Sequence, residues 1–313
     1  MRATPVEPPS DLAVGSFSHD APWLVDRDAM PWRASVPGLR RQIALDLPLL
    51  TKPGRVPPGV RVVRTVALLG SALTLWAAGA RRAGGSASRA DVSRRLRTAA
   101  ERLGPTYIKL GQIISSGEGI FPEELVSEFK KCRDQVPPEP FSVVRRVVEE
   151  DLGRPLEEVF SRFHPAPLAA ASIAQVHLAT LCSGEEVVVK VQRPSVGELV
   201  HKDLRVMAWI APFAVGRIPI AALANPPALV ELFAETITEE LDFRIEAQNM
   251  LDVARSFAEL DQRDYVIPRP HATLVTPRVL VMERLSGFKF DDVAGMKDAG
   301  VDTEKVVRAG MVG

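Results

Sequence analysis

The chain has 313 residues, in which 39 lysines and arginines are balanced by 39 aspartates and glutamates, and this zero net charge disfavours a nucleic-acid binder driven by phosphate neutralisation. An apolar fraction of 46% with 25% charged residues excludes wholesale disorder and a polytopic membrane protein. The two cysteines, Cys132 and Cys182, form no CxxC pair, so neither a disulfide framework nor a structural zinc site is indicated and a reducing, cytoplasmic setting fits.

Residues 1–60 are expected to be an irregular leader. The first 58 residues hold ten of the 26 prolines and keep returning to Pro, Gly, Ser and acidic residues with no helical or strand period, leaving Trp23 and Trp32 loosely packed. The opening MRATPVEPPSDLAVGS has no basic stretch followed by an apolar core, so it does not read as a secretory signal. Residues 61–90 are expected to form an apolar helix and a basic linker. A spanning helix needs about 20 apolar residues, whereas Arg64 interrupts here and the unbroken run from Val66 to Ala80 has 15. A buried or membrane-surface helix is therefore expected, and the following RRAGGSASR suits either an anionic lipid surface or a solvated linker.

From Asp91 the pattern is regular, and residues 91–165 read as all-helical. Val92, Leu96, Ala99, Ala100 and Leu103 make one stripe, and Gly104-Pro105 ends that helix and opens the next, which carries TYIKLGQII. PEELVSEFKKCRDQV, the stretch from Phe141 to Leu152 and the shorter RPLEEVFSRF follow as further helices. At Pro167 the character changes: LAAASIAQVHLATL and SGEEVVVKVQRP read as two strands around a Ser183-Gly184 turn, with β-branched enrichment in Val187, Val188, Val189 and Val191. Helical sequence returns from Val196 to Ala214 and from Pro227 to Leu260. Strands near HATLVTP and RVLVMERL precede a final helical stretch over 286–313.

Three constellations could carry chemistry. Lys190 ends an apolar strand and by itself reads as a snorkelling edge residue. Upstream of it, however, stand the very small residues Ala169, Ala170, Ala171 and Ser172, which would let backbone N–H groups approach a phosphate that the lysine also reaches. In protein kinases a Gly-rich loop and the lysine of a VAIK strand play these parts; here VVVK supplies the lysine and alanine stands in place of glycine. The helix ELFAETITEELDFRIEAQNM supplies the second set. Asp242 and Glu246, four apart, share a face while Glu240 points elsewhere, and Glu246, 56 residues after Lys190, is the expected ion-pair partner of that lysine. The third set is Lys109, Gly111 and Gln112, which on spacing alone reads as a helix-packing glycine beside two exposed polar residues.

Together and in this order, GPTYIKLGQ, AAASIAQVH, VVVKVQRP and ELDFRIEAQN resemble the KxGQ motif, Ala-rich loop, nucleotide-lysine strand and ExD helix of the ABC1/UbiB/ADCK (AarF-like) family of atypical kinases. The resemblance covers about residues 91–313. It implies an α+β fold: a protein-kinase-like N-lobe over 166–285, a small antiparallel sheet plus helices, with a helical KxGQ extension before it and an incomplete C-lobe after it. It further implies an ATPase or atypical kinase using ATP or ADP with Mg²⁺, serving isoprenoid-quinone or lipid metabolism at a membrane, with a lipid or quinone precursor as partner and peripheral attachment at the inner face. Residue by residue, it implies that Leu168, Ala169, Ala170, Ala171, Ser172, Ile173, Ala174, Gln175 and Val176 cover the phosphates, with Lys190 on them and Glu246 holding it. Lys109, Gly111 and Gln112 would fold across the site against Glu240 and Asp242, and adenine would lie near Met282 and Glu283.

The family's HxDxHxGN-like loop and DFG-like motif do not occur in these 313 residues, so no catalytic residue is assigned. The sequence is expected to stop where the catalytic half of the C-lobe begins. Two readings follow: part of an active ABC1-type ATPase or kinase, or a non-catalytic nucleotide- or lipid-binding pseudokinase module.

Overall fold

The computed structural model describes residues 12–15, 23–26, 29–132, 137–215, 225–262, 264–289 and 292–312. Its centre is one antiparallel sheet built from β3 (Phe160–Phe163), β4 (Ala169–Ala170), β5 (Ala174–Leu181), β6 (Glu186–Gln192), β7 (Pro270–Val275) and β8 (Val279–Glu283). The strands run in the order β3-β5-β6-β8-β7, with β4 paired to the start of β5. The register places Lys190 between Val176 and Leu280, and Val188 between Leu178 and Met282. Strand alternation therefore gives the sheet two different faces. His177, Ala179, Val187, Val189, Val191, Val279 and Val281 are buried against Val144, Val147 and Val148 of α6 (Phe141–Leu152). Val176, Leu178, Val188 and Lys190 occupy the alternate positions and are only partly covered.

His177 shows how the closed face tolerates polar groups. Its Nδ1 lies 2.9 Å from the His164 carbonyl and its Nε2 2.8 Å from the Gln175 amide nitrogen. A carbonyl can only accept, so the proton sits on Nδ1 and Nε2 accepts from Gln175. Burial also holds this imidazole below its usual pKa.

The second core joins the helices to the lower side of the sheet. It gathers α1 (Val36–Thr51), α3 (Gly85–Leu103), α4 (Pro105–Ser115), α5 (Glu123–Phe129), α8 (Val196–Ala214), α9 (Pro226–Glu240) and α10 (Phe243–Glu259), with Phe233, Ile237 and Phe243 fully buried. α2 (Arg61–Ala78) packs on α3 and α8. There Arg61 Nε and Nη2 grip both carboxylate oxygens of the fully buried Asp203, at 2.6 and 3.1 Å, and Nη2 also donates to the Leu103 carbonyl at 2.6 Å. One guanidinium fork thus ties the start of α2 and the end of α3 to the middle of α8.

Several elements differ from the sequence reading. The expected irregular leader contains a 3₁₀ turn (Pro31–Ser35) and the four-turn helix α1, as well as the paired strands β1 (Leu12–Gly15) and β2 (Trp23–Asp26). Pro37 stands in the first turn of α1, where its missing N–H costs nothing, and Leu39, Ile43, Leu47 and Leu50 form the stripe that meets the core. Trp32 is buried rather than loose, whereas the Trp23 side chain lies outside the described residues. The basic linker is mostly helical, because α3 starts at Gly85 and Trp76 Nε1 donates to Ser88 Oγ at 3.0 Å. The helix read in RPLEEVFSRF covers only α7 (Leu156–Val159), and its second half is β3. PEELVSEFKKCRDQV is helical only over α5, its residues 133–136 lying outside the described ones. The single helix expected from Pro227 to Leu260 is two, α9 and α10, broken at Leu241-Asp242. The chain closes with α11 (Val293–Asp298) and α12 (Thr303–Val312).

Removing one member of a buried ion pair strands the other charge, at a cost of about 3 kcal/mol or more. Asp203→Ala is therefore expected to lower the melting temperature by several degrees, and Arg61→Ala/Asp203→Ala to lower it by less than the sum of the single changes, both read by thermal unfolding.

Candidate functional site

The break between α9 and α10 builds the site. Asp242 caps α10 by accepting from Arg244 N at 3.1 Å, and the Arg244 guanidinium closes on the same carboxylate at 2.9 and 2.6 Å. Phe243 N donates to the Pro277 carbonyl at 3.0 Å, which docks the break on the turn between β7 and β8. In an unbroken helix Glu240 and Glu246 would stand about 120° apart. Broken, the two helices present both glutamates to one cavity of about 470 Å³, shared with Lys109, Gln112, Lys190, Thr236 and Asn249.

Two ion pairs cross this cavity. Lys190 Nζ donates to both oxygens of Glu246, at 2.8 and 2.7 Å, and lies 4.9 Å from the centre of the buried Phe243 ring, a cation–π contact from below. Lys109 Nζ reaches Glu240 Oε1 at 2.6 Å. Each of the four side chains keeps between a fifth and a third of its surface in contact with solvent. Pairs this exposed contribute at most about 1 kcal/mol each, so an incoming anion can compete for either lysine.

The Ala-rich segment is a tight turn over this cavity. Ala169 and Ala170 pair with Val176 and Gln175, and Ala171 N donates to the Ala174 carbonyl at 2.8 Å, leaving Ser172 and Ile173 at the tip. Ala171, Ser172, Ile173 and Ala174 line the smaller cavity. Leu168, Ala169, Ala170 and Ala171 line a second one of about 1170 Å³, walled also by Leu178, Val188, Leu285 and Lys289.

Of the residues singled out from the sequence, Lys109, Gln112, Lys190, Glu240 and Glu246 come together here, with most of the Ala-rich segment above them. Five positions differ. Gln175 lies on the closed face of the sheet, where its Oε1 accepts from Glu139 N at 2.8 Å, because alternation along β5 turns it away from the cleft. Val176 lines neither cavity. Asp242 does not face Lys109 or Gln112, since it is spent on its cap and on Arg244. Met282 and Glu283 line a separate cavity of about 480 Å³ with Arg269 and His271. Glu283 is still in the sheet, its N–H donating to the Arg269 carbonyl at 2.8 Å, so it is residues 284–287 and Lys289 that reach the large cavity.

Arg193, three residues beyond Lys190, was not singled out and is central. It is 7% exposed and fans out to the Ala171 carbonyl (Nε, 3.0 Å), the Pro137 carbonyl (Nη2, 2.9 Å) and Glu139 (Nη1, 2.9 Å), while its backbone N–H donates to Ile173 O at 2.9 Å. This fork fastens the Ala-rich turn from behind. Its only sequence signal is an arginine between a β-branched strand and Pro194. Gly111 acts from the other side: a Cβ there would lie 2.5 Å from a ring carbon of Phe129, so the glycine lets α4 and α5 close and sets the distance of Lys109 and Gln112 from α9.

Comparison with known proteins places the chain in a family. The family profile described as "ABC1 atypical kinase-like domain" matches residues 131–312. An uncharacterized protein of Mycobacterium tuberculosis (strain ATCC 25618 / H37Rv) is 42% identical over 208 residues, 66% of this chain and 42% of that protein. A Pseudomonas fluorescens (strain Pf0-1) protein named "Probable protein kinase UbiB" is 40% identical over 220 residues, covering 69% of this chain and 40% of that one. The Arabidopsis thaliana protein named "Protein ACTIVITY OF BC1 COMPLEX KINASE 1, chloroplastic" is 37% identical over 220 residues, 70% of this chain and 32% of that one. The chain thus matches about a third to two fifths of the length of these relatives.

Overpacking at a close contact costs about 1–3 kcal/mol. Gly111→Ala is expected to lower the melting temperature, and Phe129→Leu added to it to restore part of the loss, although Phe129→Leu alone is destabilising. Simple addition of the two losses would contradict the contact.

Proposed function

Because the chain belongs to the ABC1 atypical kinase-like family, we propose that it binds an adenine nucleotide across the two cavities that share Ala171. In this reading the base lies in the larger, mainly apolar cavity between Leu178, Val188 and Leu285, and the phosphates enter the smaller one beneath Ala171 and Ser172. Lys190 meets them as a point charge, and Glu246 holds it there. The observation that carries the reading is the Lys190–Glu246 contact, two short bonds between residues 56 apart in the chain at the mouth of a small-residue turn.

Lys109, paired with Glu240 of α9, and Gln112 three residues on would stand in the approach of a protein substrate. That favours an ATPase cycle or a small substrate over protein phosphorylation. Support of isoprenoid-quinone or lipid metabolism is proposed from the motif resemblance and from the UbiB name borne by relatives. Mg²⁺ is the expected companion of the nucleotide, yet among the described residues no group of three or more His, Cys, Asp or Glu side chains is placed to hold a metal ion. Hydrolysis and non-catalytic nucleotide sensing are two uses of one binding site, which the titration below separates.

A second reading concerns where the chain works. Leu45 and Leu49 on α1, Val56 after it, and Val60, Val63, Val66 and Leu75 at and along α2 are all well exposed, and Arg64, Arg81 and Arg82 accompany them. α2 has a mean hydropathy of 1.2 with 17% of it buried, so length and composition would allow it to enter a bilayer. We propose peripheral attachment to an anionic membrane surface through this apolar, basic-flanked face, at the cytoplasmic side.

Calorimetric titration with ATP and ADP, with and without Mg²⁺, tests the first reading. Lys190→Ala is expected to weaken binding about tenfold or more, equivalent to about 1.4 kcal/mol; unchanged affinity would reject Lys190 as the phosphate ligand. Hydrolysis that Lys190→Ala abolishes would select the enzyme, and binding without turnover the sensing module. For the membrane, the purified chain is expected to sediment with anionic vesicles and less so after Leu49→Asp/Val63→Asp. Absence of co-sedimentation would remove that reading.

A further inference from the structure

α10 carries Glu246, and a remote segment of the chain grips it. The turn and helix over residues 29–40 lie across α10 and β7 through four side-chain bonds. Trp32 Nε1 donates to the Ala272 carbonyl of β7 at 2.9 Å, Arg33 Nε to Gln248 Oε1 at 2.9 Å, and Arg40 Nη2 to Asn249 Oδ1 at 2.6 Å. In return Arg244 Nη1 donates to Ser35 Oγ at 3.0 Å, and Ser35 Oγ donates to the Trp32 carbonyl at 2.8 Å. Met30, Trp32 and Val36 are buried, so the segment is anchored by apolar burial as well as by polar contacts.

The partners are not scattered. Arg244 and Gln248 are four apart and make one row on α10, which Asp252 extends by accepting from Gln248 Nε2 at 2.9 Å. Asn249, three residues after Glu246, lines the cavity that holds Lys190 and Glu246, so Arg40 ends on a wall of the candidate site. Phe243, Ile245, Ala247, Leu251 and Ala254 of α10 are buried in the helical core. Arg244 links the strap to the break itself, because the same guanidinium that reaches Ser35 also closes on Asp242.

We propose that residues 29–40 are a positioning strap that sets the pose of α10, and through it the Lys190–Glu246 pair, so that docking of the strap and occupancy of the phosphate cavity are energetically coupled. Trp32, Arg33 and Arg40 are positioning residues in this scheme and touch no ligand. The coupling is reciprocal: an anion held by Lys190 stabilises the docked strap by the factor by which the docked strap tightens the anion. The ligand half of this inference rests on the nucleotide reading above, whereas the mechanical half rests on the contacts alone.

The test uses the full 313-residue chain. Arg33→Ala/Arg40→Ala removes two partly exposed contacts and spares the buried Trp32, so the fold is expected to persist. Hydrogen–deuterium exchange should then accelerate about tenfold in peptides covering 243–259 while those covering 141–152 stay unchanged, and Arg33→Lys/Arg40→Lys should recover much of the protection. ADP affinity should fall several-fold, and the same pair of changes should have little further effect in a Glu246→Gln background, because the strap acts through that residue. Unchanged exchange over 243–259, or an equal loss of affinity with and without Glu246, would overturn the proposal. If the unaltered chain binds no nucleotide, faster exchange confined to 243–259 still supports the strap, and it is the nucleotide reading that fails.

Discussion

The break between α9 and α10 is the constraint from which the rest of the site follows. A capped start at Asp242 turns what would be one helix over Pro226–Glu259 into two, and only then do Glu240 and Glu246 address the same space. The residue after the cap serves both sides of the junction: Phe243 bonds through its N–H to the strand turn and places its ring under the Lys190 ammonium. The position of a helix end and the surroundings of a cation are therefore set by one local decision of the backbone.

The charges in this region are arranged for exchange rather than for stability. The pair of Arg61 with Asp203 locks helices together and keeps its carboxylate wholly out of solvent. The two lysine–glutamate pairs of the cavity are partly wet, so their attraction is weak enough for another anion to share the lysine without a large loss. The molecule thus separates structural electrostatics, placed in the helical core beneath α2, from adaptable electrostatics, placed under the Ala-rich turn.

Much of this was legible in the sequence, for identifiable reasons. The order of strands around Ser183-Gly184, the lysine at the end of VVVK and its glutamate partner depend on period-2 and spacing signals that survive in one sequence. α1 was hidden because Pro37 and Pro48 occupy its first and last turns and draw attention from the Leu39, Ile43, Leu47 stripe between them. β3 was hidden because LEEVFSRF continues a helical period across a real change of conformation. The helix break was hidden for the same reason, although an aspartate before an apolar run, with a glutamate in the next turn, is an N-cap pattern that can be sought. Arg193 and the strap could not be found this way at all, since the partners their side chains reach across the fold lie between 22 and 240 residues away.

The Arg193 fork also bears on how the chain can be divided. By ligating Pro137 O and Glu139 together with the Ala171 carbonyl, it makes the tip of a strand hairpin depend on a segment that precedes the sheet. The closed face of that sheet, with Val189 and Val281 wholly covered, owes its cover to α6 from the same preceding stretch. A recombinant piece starting near residue 166 would carry every residue of the lysine strand and yet display a greasy plane and an arginine without its ligands. Aggregation of such a piece would say nothing about the chemistry of the intact protein, and any minimal soluble version has to begin upstream of Pro137.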